Sequence, residues 1–209
     1  MSEPAKKPGR QPESYSPKGK PEILKLAERL NTAPTHMIEI QNVHLEYLPP
    51  LQFIGKRCTR RKGGYGAHWQ EWFDKDWFAP LVALPEVPGV ETGYIGLMRC
   101  DGVHDKKGRF PNFEYWIGTM DLPESPVPPG YESIDLPASP VGVCWLRGRV
   151  EDGIYGQHNR CEEAVKAQGQ ELHTDPRGFR YFFERYNGER FYTPDEEGRV
   201  ILDYGIYVK

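Results

Sequence analysis

The chain repeats itself, and that repeat restricts the possible folds more than any single motif does. Tyr47-Leu48-Pro49-Pro50, followed by the apolar run Leu51 to Gly55, returns as Asp135-Leu136-Pro137-Ala138, followed by Val141 to Trp145. From Leu48 to Leu136 the offset is 88 positions. Tyr65-Gly66-Ala67-His68 returns 90 positions later as Tyr155-Gly156-Gln157-His158. Tyr94 to Met98 lies 88 positions before Phe182 to Tyr186, and Asn112 to Met120 lies 88 before Val200 to Val208. Four matches in one order at nearly one offset describe two copies of a supersecondary unit.

Each copy reads as strand, helix, strand, strand. Strands are predicted at 43–58, 92–101 and 112–121, then at 131–149, 179–187 and 199–208. A helix at 66–78 carries Trp69, Trp72, Phe73 and Trp77 at helical spacing, and one at 155–168 turns Cys161, Ala164 and Val165 inward before Gly169 stops it. The Pro-rich stretch Leu122–Gly130 joins the copies. The predicted fold class is α+β, a tandem strand-helix-strand-strand duplication. Helices cover one face of each half's sheet, and the uncovered faces line a pseudo-two-fold ligand cleft.

The domain limits follow. Residues 1–36 form a flexible basic tail (Lys6, Lys7, Arg10, Lys18, Lys20) and a short helix opened by Pro21, with Ile23, Leu24, Ala27 and Leu30 as its apolar stripe. Residues 37–209 form the main domain, with halves 37–121 and 131–209 and the linker 122–130. One short helix does not make a helix-turn-helix, so no DNA-binding domain is predicted. A net charge of −3 argues against general nucleic-acid binding. No apolar run approaches the ~20 residues needed to span a bilayer, and the charged N-terminus lacks a signal peptide's apolar core. The expected location is cytoplasmic, with Cys58, Cys100, Cys144 and Cys161 reduced. These cysteines form no zinc-ligand spacing, and no metal or other cofactor is predicted.

The chemistry centres on Tyr181-Phe182-Phe183-Glu184-Arg185-Tyr186. Strand alternation puts Phe182, Glu184 and Tyr186 on one face and Tyr181, Phe183 and Arg185 on the other. Glu184 is an ordinary strand acid if its face is solvated. If that face lines a cleft, it is a buried charge needing a cation, a donor or a proton. Trp145 and Trp116 are candidate walls from other strands. Trp69 and Trp72 have the spacing of a helix packed on its sheet and are also candidate ligand contacts. His68 and His158, at the repeated Tyr-Gly-x-His elements, are either cleft residues or parts of a duplicated turn. Arg60-Arg61-Lys62-Gly63-Gly64 lacks the Gly-Lys-Ser/Thr end of a phosphate loop, and no Gly-x-Ser-x-Gly occurs.

Three further elements carry a family resemblance: the opening of the second half (Pro129-Gly130, then Leu136-Pro137-Ala138), the stretch Phe183-Glu184-Arg185-Tyr186, and the closing Tyr207-Val208-Lys209. With the repeat, they make residues 37–209 resemble the GyrI-like family, also met as the effector-binding domain of AraC-type and MerR-type regulators. The resemblance implies a lipophilic, often cationic, small molecule bound between the halves, with Glu184 as the acid at the base of the pocket. The ligand contacts expected are Glu184, Phe182, Tyr186, Trp145, Trp116, Trp69 and Trp72. The resemblance also implies two alternatives. One is a hydrolase of strained cyclopropane-type electrophiles, with Glu184 and Tyr186 as its catalytic pair. The other is a protein-interaction role like that of a gyrase inhibitor.

Overall fold

The computed structural model describes residues 38–59, 62–91, 93–103, 105–106 and 110–209. The predicted tail and helix of residues 1–36 lie outside them. In chain order the elements are β1 (Glu39–Leu48), β2 (Leu51–Cys58), α1 (Gly64–Asp74), α2 (Ala79–Val82), β3 (Tyr94–Cys100) and β4 (Glu114–Asp121). They continue with β5 (Glu132–Leu136), β6 (Ser139–Gly148), α3 (His158–Ala167), β7 (Arg180–Tyr186), α4 (Gly188–Phe191) and β8 (Val200–Tyr207). Two 3-10 turns, Val150–Asp152 and Ile154–Gly156, lead into α3.

Prolines divide the first strand of each half. The stretches predicted as single strands at 43–58 and 131–149 each form two, β1 with β2 and β5 with β6. Pro49, Pro50 and Pro137 sit at the breaks, where a residue without an N–H would leave a gap in any ladder. The predicted helices are also shorter than expected. The first ends at Asp74, and Tyr155 and Gly156 belong to a 3-10 turn.

All eight strands join one antiparallel sheet in the order β1-β6-β8-β7-β3-β4-β2-β5. The fold is therefore a mixture of α and β elements with a single dominant sheet and few helices. This corrects the expected placement of the helices relative to the acid. Trp72 of α1 and Cys161 and Val165 of α3 share one buried cluster with Phe182 and Tyr186 of β7, so both helices lie over the face that bears Glu184. The other face carries Phe53, Leu97, Trp116, Val143, Tyr181, Phe183 and Tyr207, with Val87 and Val90 from the α2–β3 connection packed on them. Gly142 lets α3 approach closely, since a Cβ there would stand 2.6 Å from a Val165 methyl. No helix of the described residues is long and apolar enough to cross a membrane.

A buried ion cluster ties five parts of the chain together behind Glu184. Arg185 is 1% exposed and Asp203, its cross-strand partner on β8, is 0% exposed. The Arg185 guanidinium donates to Asp203 Oδ2 at 2.9 Å and grips both oxygens of Glu46 on β1 at 2.9 and 2.7 Å. Arg190 of α4 grips both oxygens of Glu91 at 2.6 Å and donates to Asp203 Oδ1 at 3.2 Å. Two-pronged contacts of this kind fix geometry as well as charge. Replacing Arg185 by Leu leaves Asp203 with Arg190 as its remaining cation and takes from Glu46 its two-pronged partner. We expect Arg185→Leu to cost about 3–5 kcal/mol in urea denaturation, whereas a loss below about 1 kcal/mol would show that the cluster is solvated.

Candidate functional site

β7 delivers Glu184 to the helix-covered face through plain strand alternation, between Phe182 and Tyr186. Its neighbours across the ladders are Gly96 of β3 and Tyr204 of β8. Glu184 is 6% exposed. Two phenols reach one of its oxygens: the Tyr186 hydroxyl donates to Oε2 at 2.9 Å, and the Tyr115 hydroxyl donates to the same atom at 3.1 Å. The Trp69 indole N–H donates to the Tyr115 oxygen at 2.9 Å, extending the chain of donors to α1. Gly96 makes this possible, because a Cβ there would lie 2.4 Å from the Tyr115 hydroxyl and 3.3 Å from Glu184 Oε2.

Aromatic rings enclose the acid. Trp69 meets Tyr186 edge-on at 4.7 Å between centroids, Tyr65 stacks on Tyr115 at 4.2 Å, and Phe191 meets Tyr186 edge-on at 4.8 Å. Tyr155, from the 3-10 turn before α3, stands 6.2 Å from Tyr186. Beside them His158 Nδ1 is hydrogen-bonded to the Tyr204 hydroxyl, and its ring meets Phe182 edge-on at 4.7 Å.

Electrostatics follow from this burial. Desolvation pushes the Glu184 carboxyl from its ordinary 4.5 up to about 7, against the smaller opposing pull of the Tyr186 and Tyr115 hydrogen bonds. Among the described residues Glu184 makes no ion pair. Burial, aided by the Glu184 charge, also holds Tyr115, Tyr155, Tyr186 and Tyr204 well above the ordinary phenol value, so their hydroxyls remain donors at every ordinary pH. Burial lowers His158, which keeps its ring neutral near pH 7.

Of the residues predicted from sequence, Glu184, Tyr186, Trp69 and Phe182 come together on this face. Trp72 is 1% exposed and packs against Trp77, Phe78 and Tyr131, within the core. Trp116 and Trp145 lie on the opposite side of the sheet: Trp116 donates to Glu114 at 3.0 Å, and Trp145 stacks under Arg190 and meets His44. The assignment of Trp116 as a wall fails by one residue of strand period, and the adjacent Tyr115 holds the wall position. Tyr115, Tyr155 and Tyr65 also stand in the group of rings around the acid without having been singled out as contacts from the sequence. The repeated Tyr-Gly-x-His element, whose Tyr-Gly pair reads as a duplicated turn, is the signal that marks Tyr65 and Tyr155. His68 bonds the Thr59 carbonyl oxygen at 2.6 Å, away from the acid. No cluster of three or more metal-ligating side chains occurs among the described residues.

Burial of this acid has a signed consequence for stability. Its folded pKa lies above its unfolded value, so its contribution favours folding most below about pH 4.5 and is lost as pH rises through about 7. Above that pH the ionised group opposes folding by an amount on the order of 3 kcal/mol. Glu184→Gln should therefore be near neutral at pH 4.5 and stabilising by roughly 2–3 kcal/mol at pH 8, read from denaturation midpoints across pH. Destabilisation at pH 8 would show that the carboxylate is paired.

No protein-family model matches the chain, and no curated protein matches it. Among solved structures it resembles SAV2435 bound to tetraphenylphosphonium, at 18% identity and a TM-score of 0.52, over 81% of this chain and 94% of that one. It also resembles a candidate bacterial transcription regulation protein from Staphylococcus aureus MU50, at 18% identity and a TM-score of 0.50, over 80% of this chain and 98% of that one. At such identity the likeness is one of fold.

Proposed function

We propose that the chain is a GyrI-like binding protein for bulky aromatic or cationic small molecules, held over Glu184 among Trp69, Tyr115, Tyr155, Tyr186 and Phe182. The observation that carries this reading is a buried carboxyl group with phenol donors and no cation among the described residues. A positive ligand would supply the missing charge, and each ring face would add about 0.5–2 kcal/mol of attraction. The fold it shares with a protein solved with tetraphenylphosphonium supports a ligand of that chemistry.

Duplication of residues 37–121 and 131–209 about the linker 122–130 belongs to the same proposal. Its support is the strand order, which reads the same from either end when β1 to β4 are exchanged for β5 to β8. The ladders shift the last match by one residue. Gly118 stands opposite Ile95 and Gly205 opposite Phe183, an offset of 87 for the final strands. An offset of 88 there would set inward residues against outward ones. On this reading the cleft lies between the helices and the shared sheet.

Tetraphenylphosphonium titrated at pH 8 should alter tryptophan fluorescence through Trp69, and Glu184→Gln should weaken binding about tenfold or more, the loss of a cation–carboxylate attraction of at least ~1.4 kcal/mol. Undiminished affinity in the variant would sink charge recognition. A second reading draws on the carboxyl value near 7 beside the Tyr186 hydroxyl, a combination suited to general acid catalysis. If the site hydrolyses cyclopropyl electrophiles, a ring-opened product should accumulate catalytically and vanish in Glu184→Gln. Stoichiometric binding without product would exclude hydrolysis.

A further inference from the structure

The two oxygens of Glu184 are not equivalent. Oε2 accepts from both Tyr115 and Tyr186, which fills its two lone-pair directions. Oε1 has no hydrogen-bond partner among the described residues. Nor is it fully enclosed: among the described residues the fully enclosed side-chain polar atoms without a partner are Trp145 Nε1 and Tyr207 Oη, and Glu184 Oε1 is not one of them. It is therefore the oxygen through which the carboxyl group can be reached. The phenols stay protonated and keep donating to Oε2, so a proton taken up by Glu184 resides on Oε1. Oε2 is then the carbonyl oxygen and Oε1–H a hydrogen-bond donor aimed at whatever occupies the site.

We propose that this division lets the site take a second ligand class, neutral flat aromatic compounds bearing a carbonyl acceptor, gripped by the Oε1–H of protonated Glu184. The inference rests on the ligand-site reading above and adds to it a contact whose direction reverses. Protonated, the acid donates to a neutral ligand; ionised, it accepts from a cationic N–H or attracts a cation. A buried group able to present either a donor or a charge discriminates by which partner is left unpaired.

The groups around the acid make it the switching element. Facing it are the hydroxyls of Tyr115 from β4, Tyr186 from its own strand, Tyr155 from the 3-10 turn and Tyr204 from β8, and the thiol of Cys161 from α3. Burial holds the four phenols neutral at ordinary pH, and the hydrogen bond with Cys144, with burial behind it, does the same for the Cys161 thiol. His158, one contact further out through Tyr204, is lowered by burial below the ordinary imidazole value. The Glu184 carboxyl, at about 7, changes charge in the middle of the ordinary pH range.

A matched pair of probes on one ring system tests this directly. Acridone is neutral with a carbonyl acceptor, and 9-aminoacridine is a cation carrying N–H donors at both pH 6 and pH 8. For a carboxyl group near 7, acridone affinity should fall about tenfold from pH 6 to pH 8 and 9-aminoacridine affinity should rise about tenfold. Glu184→Gln, whose amide N–H₂ imitates the protonated acid, should hold acridone equally at both pH values and lose the pH dependence of 9-aminoacridine. If 9-aminoacridine binds while acridone does not, or acridone binds with no pH dependence, the second ligand class is overturned and the cation reading stands. If neither binds at either pH, both are overturned.

Discussion

Everything distinctive about this molecule depends on one carboxyl group taken out of water without a counter-ion among the described residues. Removing a charge from water costs several kcal/mol unless something replaces its hydration. Here the replacement is two phenol hydroxyls on one oxygen, from Tyr115 and Tyr186, with Trp69 holding the first in place. Hydrogen bonds of this strength offset only part of the penalty, so the acid meets it by holding its proton up to about pH 7.

The surroundings show how the scaffold tolerates that cost. On the same strand, one residue on, Arg185 faces the other way into a fully paired cluster with Glu46, Asp203, Glu91 and Arg190. β7 thus carries an under-paired charge on one face and a saturated one on the other. The cluster joins β1, β7, β8, the β3 approach and α4, and it holds rigid the strand on which the acid is mounted. The helix-side face is lined by the rings around the acid, and the opposite face carries the ion cluster beside its own apolar cluster.

Much of this was legible in the sequence, for reasons that can be traced residue by residue. The alternation in Tyr181 to Tyr186 was strong enough to place Glu184, Phe182 and Tyr186 on one face, because a period of two admits only two answers. The apolar runs around the Leu-Pro pairs predict continuous strands, yet the prolines' missing N–H groups end the strands at Leu48 and Leu136. Trp116 and Tyr115 alternate on one strand, and the ladder places Tyr115, not Trp116, beside the acid. Nothing local in the sequence states that β3 pairs with β7 to make one sheet, or that Gly96 faces Glu184. Those are contacts between residues far apart in the chain, and the Tyr115–Glu184 bond exists only once both are made.

The claim at the centre is that Glu184 lies buried without a counter-charge, and its own titration measures that most directly. Carboxyl ¹³C shifts from glutamate-labelled protein, assigned by difference against Glu184→Gln, would follow this one group through the pH range. The account predicts a midpoint near 7 in the ligand-free protein, moving down when a tight-binding aromatic cation is added. A midpoint at or below the ordinary 4.5 would mean that the group is solvated or already paired, and would contradict the account.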